Sequence, residues 1–172
     1  VKLYFMVGLP TETEEDLQGI VDLANKICEK FFEIPKEDRK NKQISVVVSS
    51  ACFVPKPFTP FQWEPQSTVQ EFFDKQKYVK THMTRKQVRY NYHEPELSSL
   101  EGVLARGDRK TSKLLYRAWE LGCKFDGWND IFDYSKWMQA FEDTGLSKEF
   151  YANRRRSYDE VLPWDHISIG VS

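Results

Sequence analysis

The first half of the chain switches between two hydrophobic periods. Residues 2–8 are a nearly continuous apolar run, which reads as a strand of a parallel sheet covered on both faces. A sharp Gly8-Leu9-Pro10 turn follows. Thr11 with Glu14, or Thr13 with Asp16 in the alternative register, then forms a capping box that satisfies free N–H groups at a helix start. From Leu17 the period becomes three and four: Leu17, Ile20, Val21, Ala24, Ile27, Cys28 and Phe31 share one face, with charges opposite. Pro35 and the polar run 36–42 end this helix. Residues 44–52 are β-branched and again apolar, a second strand, so the three elements make one βαβ unit of right-handed crossover.

Residues 53–65 hold four of the eight prolines among Phe53, Phe58, Phe61 and Trp63. Proline fixes φ and removes donors, so the segment reads as a stiff extended loop, either a hydrophobic lid or a wall of a site. Ser67 with Gln70 caps a further helix striped by Val69, Phe72, Phe73, Gln76, Val79 and Met83. Residues 88–93 alternate with period two, a third strand with one face less buried. After Pro95 the pattern is helical: a helix capped by Ser98 and Glu101, a second opened by Asp108 and closed by Gly122, and a third carrying Tyr134, Trp137, Met138 and Phe141 up to Gly145.

Lys and Arg number 25 against 26 Asp and Glu, a formal charge of -1, which argues against whole-surface attraction to nucleic acid. A local basic patch of Lys75, Lys77, Lys80, Arg85, Lys86 and Arg89 keeps RNA binding open. No apolar run approaches the ~20 residues of a membrane span and no signal-peptide pattern opens the chain, so a soluble, cytoplasmic protein is expected. The three cysteines lie far apart; Cys28 and Cys52 read as buried structural thiols, and no C-x-x-C pair points to a metal. Five tryptophans in a chain of 172 residues point to an aromatic-lined cavity.

Candidate chemistry is sparse. Gly8 allows close backbone approach, and the helix start after it offers N–H groups to an anion. Arg106-Gly107-Asp108-Arg109 is either a capped turn between solvated arginines or a clamp for an anion or carboxylate. His93 with Glu94 ends a strand and is a weak catalytic candidate, as are Arg106 and Arg109; a hydrogen-bonded structural histidine is the plainer reading. Asp165 and His166 are adjacent and need not meet. Arg154, Arg155 and Arg156 read as a solvated helix end. There is no P-loop, G-x-S-x-G or G-x-G-x-x-G.

Residues 1–17, running from a hydrophobic strand through Gly8-Leu9-Pro10-Thr11-Glu12-Thr13 into an acidic helix start, resemble the strand-turn-helix late in the barrel of radical SAM enzymes. Residues 54–63 are similar to a proline-aromatic stretch found in members of that family. Residues 93–98, 100–109 and 162–167 resemble a narrower bacterial group of Fe–S oxidoreductases that often carry an N-terminal cobalamin-binding-like domain. The resemblance implies an α/β fold: residues 1–93 as the C-terminal part of a radical SAM (β/α) barrel, a partial TIM barrel, and residues 94–172 as a mostly helical extension. It implies that Gly8, Pro10, Phe53 and Val54 contribute to the adenosine pocket of S-adenosylmethionine. The C-x-x-x-C-x-x-C that would ligate a [4Fe–4S] cluster is absent. The chain is therefore expected to be a fragment of the intact enzyme, inactive alone, with cluster and S-adenosylmethionine, and in some relatives cobalamin, belonging to the whole. Open strand edges would offer a homodimer contact. The competing reading is a non-enzymatic α/β module that binds protein or RNA; an ordinary α/β hydrolase ranks last.

Overall fold

Three strands organise the first half of the chain: β1 (Lys2–Val7), β2 (Val46–Cys52) and β3 (Val88–Tyr92). In the computed structural model, which describes residues 1–170, they pair in parallel and in sequence order, β1-β2-β3. Leu3 lies beside Val48 and Val48 beside Tyr90, so the register keeps β-branched and aromatic residues in rows across the sheet. Helices α1 (Glu14–Glu33) and α2 (Val69–His82) connect the strands.

Both helices pack on the same face of the sheet. One core joins Leu17, Ile20, Val21, Ala24 and Cys28 of α1 with Phe72 and Val79 of α2 and with Val7, Val46, Val48 and Cys52 of the strands. Each large apolar side chain buried there stabilises by about 1.5–3 kcal/mol. The other face is uncovered. It carries Lys2, Tyr4 and Met6, then Val47, Ser49 and Ala51, then Arg89 and Asn91, and Tyr4 is 74% exposed. The apolar run of β1 suggested cover on both faces; in the structure Tyr4 and Met6 face away from the helices. A pattern of uninterrupted hydrophobicity cannot tell cover by the chain's own helices from a face left open.

Capping follows the alternative register. Thr13 and Asp16 form the box of α1, because Thr11 sits at φ 66 inside the preceding turn and is not in the extended conformation a cap needs. For α2 the box is Thr68 and Glu71 and not Ser67 and Gln70: the Glu71 carboxylate accepts both the Thr68 N–H, at 2.7 Å, and its hydroxyl, at 2.9 Å. A charged acceptor is stronger here than an amide.

The chain divides into two compact units, Val1–Phe53 with Ser67–Pro95, and Val54–Gln66 with Glu96–Ser172. The second contains α3 (Pro95–Ala105, its first residue lent by the other unit), α4 (Thr111–Glu120), α5 (Tyr134–Thr144) and a π-helical turn at Glu149–Asn153. Its core is Leu100, Val103, Leu114, Ala118, Trp137, Ala140, Phe141, Tyr151 and Ala152. Helix α3 starts earlier than the Ser98 cap implied: Pro95 takes the first position, where its missing N–H costs nothing, and Ser98 lies buried one turn in. Gly145 ends α5 at φ 63, as its position in the sequence indicates. Residues 57–64 are a series of turns, so the segment is not extended throughout: Gln62 N–H donates to Thr59 O, Glu64 N–H to Phe61 O, and Phe58 has φ 61. The tryptophans do not converge, for Trp137 and Trp164 are buried while Trp119 and Trp128 are exposed.

Two predictions follow from the packing of the sheet. Gly8 sits at φ 85, and a Cβ there would overlap the Phe72 ring. Gly8→Ala should lower stability by about 2–3 kcal/mol in urea unfolding. Burial pushes the Tyr90 hydroxyl up from 10.0 to about 12, partly countered by its 2.6 Å hydrogen bond with Ser50. The folded value lies above the unfolded one, so this contribution is intact below pH 10.0 and is lost as pH rises through about 12. The urea midpoint should fall across that window, and less steeply in Tyr90→Phe.

Candidate functional site

The carboxyl ends of parallel strands are where such sheets place ligands, and here that edge is built on residues 8–13. Gly8 turns the chain out of β1, and its N–H donates to both carboxylate oxygens of Glu12, at 3.1 and 2.9 Å. Glu12 N–H donates to Leu9 O at 3.2 Å. From α2, the Lys75 ammonium reaches the same carboxylate at 2.6 Å, and the Glu12 side chain is only 5% exposed. The Thr13–Asp16 box then starts α1, with Glu14, Glu15 and Asp16 in its first turn. Hydrogen bonds from its hydroxyl and backbone partner Thr13 hold the Asp16 carboxyl below the usual range, the backbone one foremost.

This arrangement alters the reading of the turn as an anion site. The Gly8 N–H is already taken by a carboxylate, and Glu14, Glu15 and Asp16 occupy the first turn of the helix. What the turn offers is a rigid rim. Beside it lies a hollow of about 360 Å³ between Phe5, Met6, Leu9, Pro10, Glu12 and Ile20. Pro10 thus lines a cavity, whereas Gly8 is buried and fixes the backbone. Phe53 is buried, its N–H donating to Val7 O at 2.8 Å and so prolonging the pairing of β1 with β2. Val54 begins the segment that belongs to the second unit.

At the end of β3 a second hollow of about 240 Å³ is lined by Phe73, Gln76, Lys77, Lys80, Tyr92 and Glu94. Gln76 is 3% exposed; its amide N–H donates to His93 O at 2.8 Å and to Cys52 Sγ at 3.4 Å. His93 is exposed and contributes its carbonyl to this network, while its imidazole has no hydrogen-bond partner among the described residues. Glu94 is half-buried at the wall of the hollow.

Arg106 and Arg109 part company. Arg106 is 0% exposed, and its Nη1 donates to Glu64 O at 2.8 Å and to Ala152 O at 3.2 Å, while Nε and Nη2 have no partner among the described residues. Burial first, then the neighbouring Arg156 and Arg154, bring its guanidinium down to about 10. It fastens residues 64 and 152 to α3 inside the second unit. Arg109 is exposed. The two do not form a clamp. The run Arg154–Arg156 is no solvated helix end either: Arg154 pairs with Glu160, Arg155 with Glu64, and Arg156 is buried with its guanidinium 5.2 Å from the Trp164 ring. The basic patch of the first unit is partly spent internally, since Lys75 holds Glu12 and Arg85 holds Glu29.

Cys28 and Cys52 are buried free thiols in the core of the first unit, and Cys123 belongs to the second. Among the described residues no three His, Cys, Asp or Glu side chains converge. The donor set of this chain does not fit an iron–sulfur cluster. No helix among the described residues is long and apolar enough to cross a membrane.

Sequence reasoning placed Lys75 in a basic patch and Gln76 on the stripe of α2, and gave neither them nor Glu12 a role at the strand ends. Glu12 had a signal, an acid four residues after a turn glycine, but Lys75 lies 63 residues away and only the fold brings it near. Lys75→Met leaves a nearly buried carboxylate without its cation and should cost about 3 kcal/mol in urea unfolding. Glu12→Gln should cost less, about 1–2 kcal/mol, because an amide oxygen still accepts from Gly8 and the freed ammonium can reach water.

No protein-family model and no solved structure matches the chain. A curated relative, an uncharacterised protein of Methanocaldococcus jannaschii, is 32% identical over 148 residues, which make up 86% of this chain. The chain spans 30% of the length of that relative.

Proposed function

We propose that this chain is the C-terminal part of a radical SAM Fe–S oxidoreductase, with the first unit as three consecutive strands of its (β/α) barrel and the second as a helical extension. The observation that carries the reading is the sheet: parallel strands in sequence order, both helices on one face and the other face uncovered. A closed (β/α) barrel repeats that pattern around its ring, one half of a doubly wound sheet shares it, and the resemblance of residues 1–17 and 54–63 favours the barrel. The uncovered face then corresponds to the barrel interior, with Tyr4, Ser49 and Asn91 in one register row across it. Parallel sheets are ordinarily covered on both faces, and the greater length of the archaeal relative supports further chain to complete the cover.

In this reading the chain's own residues supply wall and rim. Glu12 and Lys75 hold the turn at the end of β1, and Phe5, Met6 and Pro10 line the hollow beside it. Cluster ligands come from elsewhere in the longer protein, because the three cysteines here do not supply them. The intact protein would cleave S-adenosylmethionine reductively and abstract hydrogen from a substrate, and the present chain would be inactive alone.

The test is a chain extended upstream and reconstituted anaerobically with iron and sulfide. A [4Fe–4S] electron paramagnetic resonance signal with release of 5′-deoxyadenosine is the expected result. A folded extended chain that takes up no cluster would overturn the assignment.

A further inference from the structure

Helix α4 carries a surface that neither its own stability nor a barrel role explains. Its buried side is Thr111, Leu114 and Ala118. On the opposite side Tyr116 is 62% and Trp119 56% exposed, their ring centroids 5.7 Å apart. Arg109, Lys110 and Lys113 lead into the helix, all exposed and none in an ion pair among the described residues. Cations there oppose the helix dipole and exposed rings forgo burial, so both choices cost stability. Spacings of three and four put Lys113 and Tyr116 on one side, and Ser112, Tyr116 and Trp119 on one side, with Arg109 in the turn before the helix. The acid among them, Glu120, is engaged at 3.2 Å by Arg117, which also binds Asp143 at 2.6 Å.

Rings with open π-faces beside unpaired cations match the two needs of a single-stranded nucleic acid, stacking for its bases and charge for its phosphates. A duplex keeps its bases stacked on each other and offers these rings nothing. Ser112 tilts the choice of sugar. Its hydroxyl donates to Arg109 O at 2.7 Å, leaving Oγ as an acceptor between the rings and the cations. A ribose 2′-hydroxyl can donate to it, and deoxyribose has no such group. We propose that the exposed face of α4 binds single-stranded RNA, with Tyr116 and Trp119 stacking unpaired bases and Arg109, Lys110 and Lys113 holding the adjacent phosphates. This rests on α4 alone and stands or falls apart from the radical SAM reading.

The experiment is fluorescence anisotropy of a labelled oligouridylate of about twelve nucleotides with the 172-residue chain, titrated over a range of salt, alongside its deoxyuridine counterpart. The expected result is binding that weakens with salt and favours the ribose oligomer. Tyr116→Ala and Trp119→Ala should each weaken it about tenfold, with Trp119→Phe retaining most of the affinity. Lys110→Gln with Lys113→Gln should flatten the salt dependence by about 1.4 in log–log slope. Lys86→Gln, on the first unit, should change nothing. These side chains are exposed, so circular dichroism of each variant should match the parent. No binding, equal binding of the deoxy oligomer, or binding indifferent to the α4 substitutions would overturn the proposal.

Discussion

Two parallel crossovers that step in the same direction place both connecting helices on one face of a sheet, and the first unit depends on that constraint. It explains why α1 and α2 share one core with alternate residues of all three strands. It also explains why the residues between them, Tyr4, Met6, Ser49 and Asn91 among others, have no helix over them. The face that the helices cover is apolar apart from Ser50, Tyr90 and Tyr92, and Ser50 and Tyr90 satisfy each other. The uncovered face is mixed, with small, polar and basic positions in register. Such a face is suited to meet something other than a second layer of the same helices.

The two units handle buried charge in opposite ways. In the first, Glu12 is desolvated but fully engaged, by two contacts to a backbone N–H and by Lys75. The result is a turn held from both sides at the carboxyl edge of the sheet. In the second, Arg106 is buried with carbonyls as its acceptors and with Arg156 and Arg154 nearby, and Glu160 is the acid that offsets them. A single guanidinium nitrogen, Nη1, addresses two different segments at once through its two N–H groups. That arrangement consumes the arginine most suggestive of substrate binding in the sequence.

Much of the candidate site was legible locally. The Gly8-Leu9-Pro10 turn, its placement at a strand end and an acidic capped helix after it are all short-range features, governed by φ preferences and capping. The partners that define the site were not legible. Gln76 was legible as a member of the α2 stripe but its acceptors were not, and nothing local distinguishes Lys75 from Lys77 until α2 is laid against β1 and β2. The same holds for the arginines, where identical residue types two apart, Arg154 and Arg156, differ in burial because only one faces Trp164.

By itself the sequence determined the elements, their order and the βαβ pattern, since periodicity, glycine and proline placement and capping residues act over a few residues. Capping registers it left open by two residues at α1 and set one residue off at α2, because nearby Ser and Thr, or Glu and Gln, compete on nearly equal terms. Tertiary structure decided which sheet face is clothed, which charges are spent internally and which stay free for a partner. Those outcomes depend on contacts between residues tens of positions apart, and burial, which sets the energy of every charge, is a property of the packed chain and not of its local pattern.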